Sequence, residues 1–322
     1  MLSAQTSGRV EGSAQRKGLT DSLYMRADTV RAKQVVVYAA PINTFTISSV
    51  DDLDGAAIYA GKKTEQVRLS AITANTSSNN ARQVFSGVAG LNIWDNEGGG
   101  VQMGIGGRGL SPNRTSNFTT RQNGYDIAAD PLGYPESYYT PPMDAVDRIQ
   151  VVRGAGSLRY GTQFGGMVNF KLKKGIEEKK IQFLTRQTLG SFGLYNTFNS
   201  IGGTIKKWNY YVAHQYKKGD GWRQNSKFNS NTVHSAFTYQ ATTRLSLSLE
   251  HTFMHYLARQ PGGLTDKDFK IDPRLSIRRR NWFQVNWNLA AFVIDYKLND
   301  RTAINIRNFG LLAGRDALGS LE

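Results

Sequence analysis

The sequence predicts a mixed, mainly β fold: a small α+β unit followed by antiparallel strands with the pattern of a transmembrane β-barrel. Three observations carry this. Past about residue 178, apolar and polar residues alternate over stretches of about ten residues, the period of a strand with two unlike faces. The links between these stretches alternate between short and long. The 322 residues also include 33 Gly, 15 Tyr, 15 Phe and 5 Trp, a mix that favours strands over helices.

The strands can be taken in order. NYYVAHQY alternates weakly through Tyr210, Val212 and Tyr216. RLSLSLEHTF puts Leu245, Leu247, Leu249 and Phe253 on one face, with Ser246, Ser248, Glu250 and Thr252 opposite. WFQVNWNLAAFV puts Phe283, Val285, Trp287, Leu289, Ala291 and Val293 on one face against Gln284, Asn286 and Asn288. The links IKKW (205–208), QATTR (240–244) and KLNDR (297–301) are short, whereas 217–230 and 255–280 are long and polar. Long strands with tight turns at one end and long loops at the other are the pattern of outer-membrane barrels. Aromatic residues near strand ends, Trp208, Tyr216, Trp282, Phe283 and Tyr296, suit its interfacial girdles. A soluble β-sandwich also alternates, but its strands usually run to only about five or six residues.

Upstream the character differs. Residues 1–50 form an unassigned N-terminal extension, although VVVYAA (35–40) and TFTISSV (44–50) read as strands. Residues 51–80 are polar and read as an extended connector. Residues 81–175 read as a compact α+β unit. ARQVFSGVAGLNIWD starts as a short helix and turns through Gly90 into a strand, and DAVDRIQVVRG is a short helix followed by a strand. Residues 176–322 hold the alternating strands.

Composition excludes several classes. No Cys is present, so disulfides and thiolate sites are ruled out. With only four His, a His-rich metal site is not expected. No stretch of 18 consecutive apolar residues marks a transmembrane helix, and the N-terminus lacks the apolar core of a signal peptide. GGGVQMGIGGRG lacks the Lys-Ser/Thr ending of a phosphate-binding loop and the strand–helix context of a dinucleotide fingerprint. No Ser/His/Asp set or carboxylate pair has catalytic context, so neither an enzyme nor a resident cofactor is expected. The formal net charge of +15 fits an anionic ligand, an anionic membrane surface or nucleic acid.

ARQVFSGVAGLNI, GIGGRGL, NGYDI and MDAVDRIQVVRGAGSLRYGTQFGGMVNF, in that order, resemble the plug domain of TonB-dependent outer-membrane receptors. RGLSPN, the same VDRIQVVRG block, and QPGGLTDKDFKIDPRLS followed by RRRNWF are similar to the ferric dicitrate receptors of that family. The resemblance implies a plug over 81–175 and, over 176–322, the first strands of a barrel that in this family has about 22. About six or seven strands are legible here, so the resemblance implies an incomplete barrel, cut at the C-terminus and with its true N-terminus in question.

It further implies import of a ferric chelate, iron(III) dicitrate or another carboxylate siderophore, as transported cargo. The implied partners are TonB with its inner-membrane energising complex and the outer-membrane lipid, with no nucleic acid. Arg108 stands where these receptors have a ligand-facing plug arginine. Tyr134 and Glu136 in LGYPES stand in the apex loop, at positions where the receptor pattern has amides. Arg274, Arg278 and Arg280 (with Arg279) lie in a long loop that the resemblance places outside the cell. Arg pairs bidentately with carboxylate, although a solvated loop or contacts with lipid phosphates would use the same cluster. Arg153 and Arg159 are implied plug–barrel contacts. Ile58, Tyr59 and Ala60 precede the plug where the family places its TonB box, a segment that pairs with TonB by β-augmentation; a plain linker is the alternative. The competing functions are a receptor of the same fold for cobalamin or an oligosaccharide and, from another class, a basic nucleic-acid-binding β-protein.

Overall fold

Two β-layers follow one another in the chain, an inner six-stranded sheet and an outer seven-stranded wall. The computed structural model describes residues 47–54, 57–94, 99–100, 102–128, 137–161 and 163–319. VVVYAA, Tyr134 and Glu136 lie outside the described residues.

The inner layer is built from β1 (Ile47–Ser48), β2 (Leu53–Asp54), β3 (Ala57–Ile58), β4 (Lys63–Arg68), helix α1 (Ala81–Val84), β5 (Leu91–Trp94), β6 (Gly104–Gly107), β7 (Phe118–Gln122), β8 (Tyr125–Asp126), β9 (Val146–Arg153) and β10 (Gly166–Leu172). Its main sheet runs β1-β4-β9-β10-β7-β8. β7 and β10 pair in parallel and the other neighbours are antiparallel. β2–β3 and β5–β6 form two small separate pairs. The Asn80 side chain caps α1 by accepting from Gln83 N at 3.0 Å, satisfying a donor the helix itself cannot pair. β7 returns into β8 through Asn123–Gly124, both at positive φ, as a two-residue hairpin matched to strand twist requires. Ile149, Val151 and Val168 are fully buried at the core of this layer.

Here the structure departs from the sequence reading. The unit does not begin at residue 81: β4 lies second from the sheet edge and pairs with β9 along its length. Residues 51–80 are therefore part of the fold and not an extended connector. KTEQVR gave too short and too polar an alternation to register, because its inward positions include Thr64 and Gln66 beside Val67.

The wall is a meander: β11 (Gln182–Gly190), β12 (Leu194–Ile205), β13 (Trp208–Gly219), β14 (Phe228–Gln240), β15 (Leu245–Arg259), β16 (Trp282–Lys297) and β17 (Ala303–Leu318). The strands run from 9 to 16 residues. Successive antiparallel pairing puts the short turns 206–207, 241–244 and 298–302 at one end. The longer loops 220–227 and 260–281 lie together at the other end, as the alternation of link lengths predicts. The second loop carries helix α2 (Asp266–Ile271). Among the described residues, no helix is long and apolar enough to cross a membrane. The chain passes from sheet to wall through Gly175, whose N–H donates to Asn209 Oδ1 at 3.1 Å and whose carbonyl accepts from Asn209 Nδ2 at 2.7 Å. A Cβ there would lie 2.4 Å from the carbonyl oxygens of Gly203 and Tyr210, so the close approach requires glycine.

The two best-patterned strands turn opposite faces outward. On β15, Leu249 is exposed while Glu250, Thr252, Met254 and Tyr256 are buried against the inner layer. On β16 the apolar row is the inner one: Phe283, Val285, Trp287 and Leu289 are buried. Phe283 therefore is not a girdle residue. Its neighbour Trp282 takes the outward position, and adjacent strand residues cannot share a face. Trp208 and Tyr296 do stand exposed at the short-turn end, the Trp208 ring tilted against that of Tyr239 with centroids 4.7 Å apart.

Candidate functional site

At the long-loop end two loops are tied into one body. Arg223 donates to the carbonyls of Gly262 and Leu275 at 2.8 and 2.7 Å. Asn225, at a positive φ of 52°, turns its Nδ2 toward the carbonyls of Gln260, Arg278 and Asn281 at 2.6–3.2 Å. Gln224 N donates to Arg274 O, and Arg274 Nε to Trp222 O. Arg274, Arg279 and Arg280 are exposed on this body. Arg278 is half-buried, its stem packed over Gly262, so its first role is to hold the loop. Arg223 and Asn225 were not among the sequence-predicted residues, since DGWRQN reads as an ordinary polar turn.

At the boundary between the layers, aromatic rings interlock. Tyr138 stacks on Phe283 with centroids 5.5 Å apart, and Tyr139 on Trp287 at 5.9 Å. Arg315 of β17 donates to Tyr138 Oη at 2.6 Å and lies over its ring. Gln102 donates to Tyr256 Oη at 2.7 Å.

Deeper in, Glu250 of the wall accepts from Tyr125 Oη and Asn123 Nδ2 of the plug, both at 2.7 Å. Burial, and then the charge of Glu250, pushes the Tyr125 phenol well above its usual range, which keeps it a donor. Gln122 donates to Thr252 Oγ1 at 3.0 Å. Arg186 of β11 pairs with the buried Asp144, which also accepts from Thr76 Oγ1 at 2.7 Å. Asn196 donates to Ser77 O.

Of the arginines expected to span the layers, Arg153 sits otherwise. Arg153 pairs with Glu65 and donates to Ala89 O, both within the inner layer. Arg159 is exposed and lies 5.0 Å from the Tyr160 ring centroid, with Arg121 at 4.9 Å. Arg108 is exposed on the Arg108–Gly109 turn after β6, with its guanidinium near Gly154. The structure does not bring it to the loop arginines. Ile58 is exposed, but Tyr59 is buried and its hydroxyl is 2.6 Å from that of Tyr160. Glu250 could have been found in the sequence: a lone acid in the middle of a membrane strand must face inward and find donors.

A seven-stranded antiparallel wall packed by buried polar contacts on a separate α+β sheet is the arrangement found in part of an outer-membrane barrel with a plugged lumen. Residues 60–168 match the TonB-dependent receptor plug domain. The unliganded ferric citrate transporter FecA has this fold, with a TM-score of 0.68 at 22% identity over 85% of this chain and 43% of that one. The ferripyoverdine receptor of the outer membrane of Pseudomonas aeruginosa gives 0.64 at 12% identity, over 80% and 34%. The siderophore receptor PirA from the same organism gives 0.58 at 13%, over 79% and 41%. The chain spans less than half the length of each of these structures. The matched structures carry names of transporters and receptors.

Proposed function

We propose that these residues belong to a receptor that binds a ferric chelate at its long-loop end and passes it inward past the plug when TonB engages the N-terminal side. The cargo is a carboxylate chelate, iron(III) dicitrate first. The observation that carries this reading is the laced pair of loops. Arg223 and Asn225 fix the 260–281 loop from below, and this leaves Arg274 and Arg280 presented without a further ordering cost. Fixed guanidinium forks are suited to carboxylates on a negatively charged complex. Arg108, Tyr134 and Glu136 complete the proposed ligand set from the plug, and the likeness to a ferric citrate transporter supports the choice of cargo.

Titration of the receptor with ferric citrate tests it. A charge-assisted hydrogen bond contributes about 1.5–3 kcal/mol, and about 1.4 kcal/mol is tenfold in affinity. Arg108→Ala and Arg280→Ala should each weaken binding by roughly ten- to a hundredfold, with Lys restoring only part. A parent receptor that ignores ferric citrate but binds another ferric chelate would end the citrate assignment and keep the importer. Binding to no ferric chelate would end both.

A further inference from the structure

Between the plug and the wall, toward the short-turn end, lies a cavity of about 700 Å³. Basic side chains converge on it: Arg148 and Lys171 from β9 and β10, Lys173 from the linker and Arg307 from β17. Most of the carboxylates that line it have partners at its edge. Asp147 pairs with Arg148 at 2.7 Å, Glu250 holds Tyr125 and Asn123, and Asp295 accepts from Asn305. Asp54 differs, because it is brought in from outside the main sheet.

Asp54 sits on the small β2–β3 hairpin, N-terminal to β4. Its Oδ2 accepts from Gln150 Nε2 at 2.7 Å and lies 3.2 Å from Lys171 Nζ. The seat is built independently of Asp54. Gln150 is buried, and its own oxygen accepts from Asn169 Nδ2 at 2.8 Å, which leaves the amide donor aimed at Asp54, itself a lining residue of the cavity. Asn169 Oδ1 is in turn fixed by Gly124 N at 3.0 Å. Burial lowers the Lys171 pKa, and the charges of Arg307 and Arg148 lower it further against the pull of Asp54. Without Asp54 the seat would be an aimed amide and an ammonium among like charges, a preformed place for an anion.

We propose that Lys171 on the cavity wall and Gln150 behind Asp54 form a carboxylate-binding transit site, and that Asp54 occupies it at rest as a tethered competitor. The hairpin acts as a strap: Val50, Ala57 and Tyr59 pack it onto Val152 and Met167 of the sheet. When the strap is drawn away, Asp54 leaves with it and the seat opens to the carboxylate of a passing chelate. The choice of cargo rests on the import reading above, whereas the seat is read from the geometry alone.

The probe is tricarballylate, an iron-free tricarboxylate, titrated by calorimetry into the purified receptor. Asp54→Asn keeps the size and the acceptor for Gln150 but removes the charge, and Asp54→Ala empties the seat. Each should bind tricarballylate about tenfold more tightly than the parent, the scale of one charge-assisted contact. Adding Lys171→Gln should abolish the gain. Equal binding by the parent and both Asp54 variants overturns the proposal. In cells, Lys171→Gln should leave ferric citrate affinity at the surface unchanged and cut the maximal uptake rate about tenfold, with Lys171→Arg retaining most of it. Parental uptake by Lys171→Gln also overturns it. A receptor that binds no ferric chelate removes the import reading, and the calorimetry still decides the seat.

Discussion

Tyr125 of the plug donates its hydroxyl to Glu250 of the wall at 2.7 Å, and both side chains are buried. It belongs to a connected set. Tyr139 Oη donates to Gln122 Oε1, Gln122 Nε2 donates to Tyr125 Oη and Thr252 Oγ1, and Asn123 joins Glu250 to the N–H of Leu172. Tyr139 and Leu172, the last residue of β10, are thereby held by one hydrogen-bonded path. Such networks couple non-additively.

Tyr125→Phe should lower the stability of the docked plug by about 1–2 kcal/mol. Glu250→Ala should cost more, roughly 2–5 kcal/mol, because it strands two buried donors. The double variant should fall short of the sum. Urea midpoints for plug release, read by limited proteolysis, check this. Equal midpoints for Glu250→Ala and the parent would remove Glu250 from plug retention.

Arg186 meets Asp144 from a half-exposed position, while the carboxylate itself is buried. Arg186→Ala leaves that charge with Thr76 and should cost roughly 1–3 kcal/mol, discounted for the solvent around Arg186. Arg186→Lys should recover part of the loss, and the same proteolysis reads both.

Asn225→Gly keeps the left-handed backbone but deletes the donor facing three carbonyls. Hydrogen exchange across 260–281 should rise sharply, and ferric citrate affinity should drop about tenfold although Asn225 carries no ligand-facing charge. Unchanged exchange would show that the loop is held by Arg223 alone.

Burial alone would raise the Asp54 carboxyl, but the Gln150 hydrogen bond and the Lys171 charge outweigh it and hold the pKa below the ordinary value. A depressed folded pKa adds stability above the unfolded value, about 3.9, and loses it as pH falls through the folded one. The strap should therefore be equally protected at pH 7 and 5 and loosen below about pH 4. Hydrogen exchange at Leu53–Asp54 and Ala57–Ile58 follows this, and Asp54→Asn should flatten the dependence.

The wall was largely legible because a two-sided strand prints its period directly, and RLSLSLEHTF and WFQVNWNLAAFV were each long enough to show it. The side each face takes was not legible. β16 buries its apolar row because Tyr138 and Tyr139 lie inside it, and only the docked plug decides that. β4 was missed because its inward residues are polar and its partner β9 lies some 80 positions downstream. The arginines of RLSIRRR could be seen as a cluster. What could not be seen was that Arg278 serves the loop's packing, or that Arg153 is taken by Glu65, since both depend on chain segments remote in sequence.

The order β1-β4-β9-β10-β7-β8 has a mechanical meaning. The strands nearest the N-terminus lie at the rim of the sheet, and those that touch Glu250 and Thr252 lie at the far side. Tension applied at the N-terminus reaches two residues of β1, paired with β4 alone, then the strap, then six residues of β4, which keeps only its seam with β9 once β1 has left. Rupture can proceed rung by rung, which needs far less force than sliding all strands at once. Once β4 is gone, β9 becomes the new rim, while the remainder stays bolted to the wall. The sheet is thus graded from a tearable margin to a fixed anchor, and a modest pull should detach the first without dislodging the second.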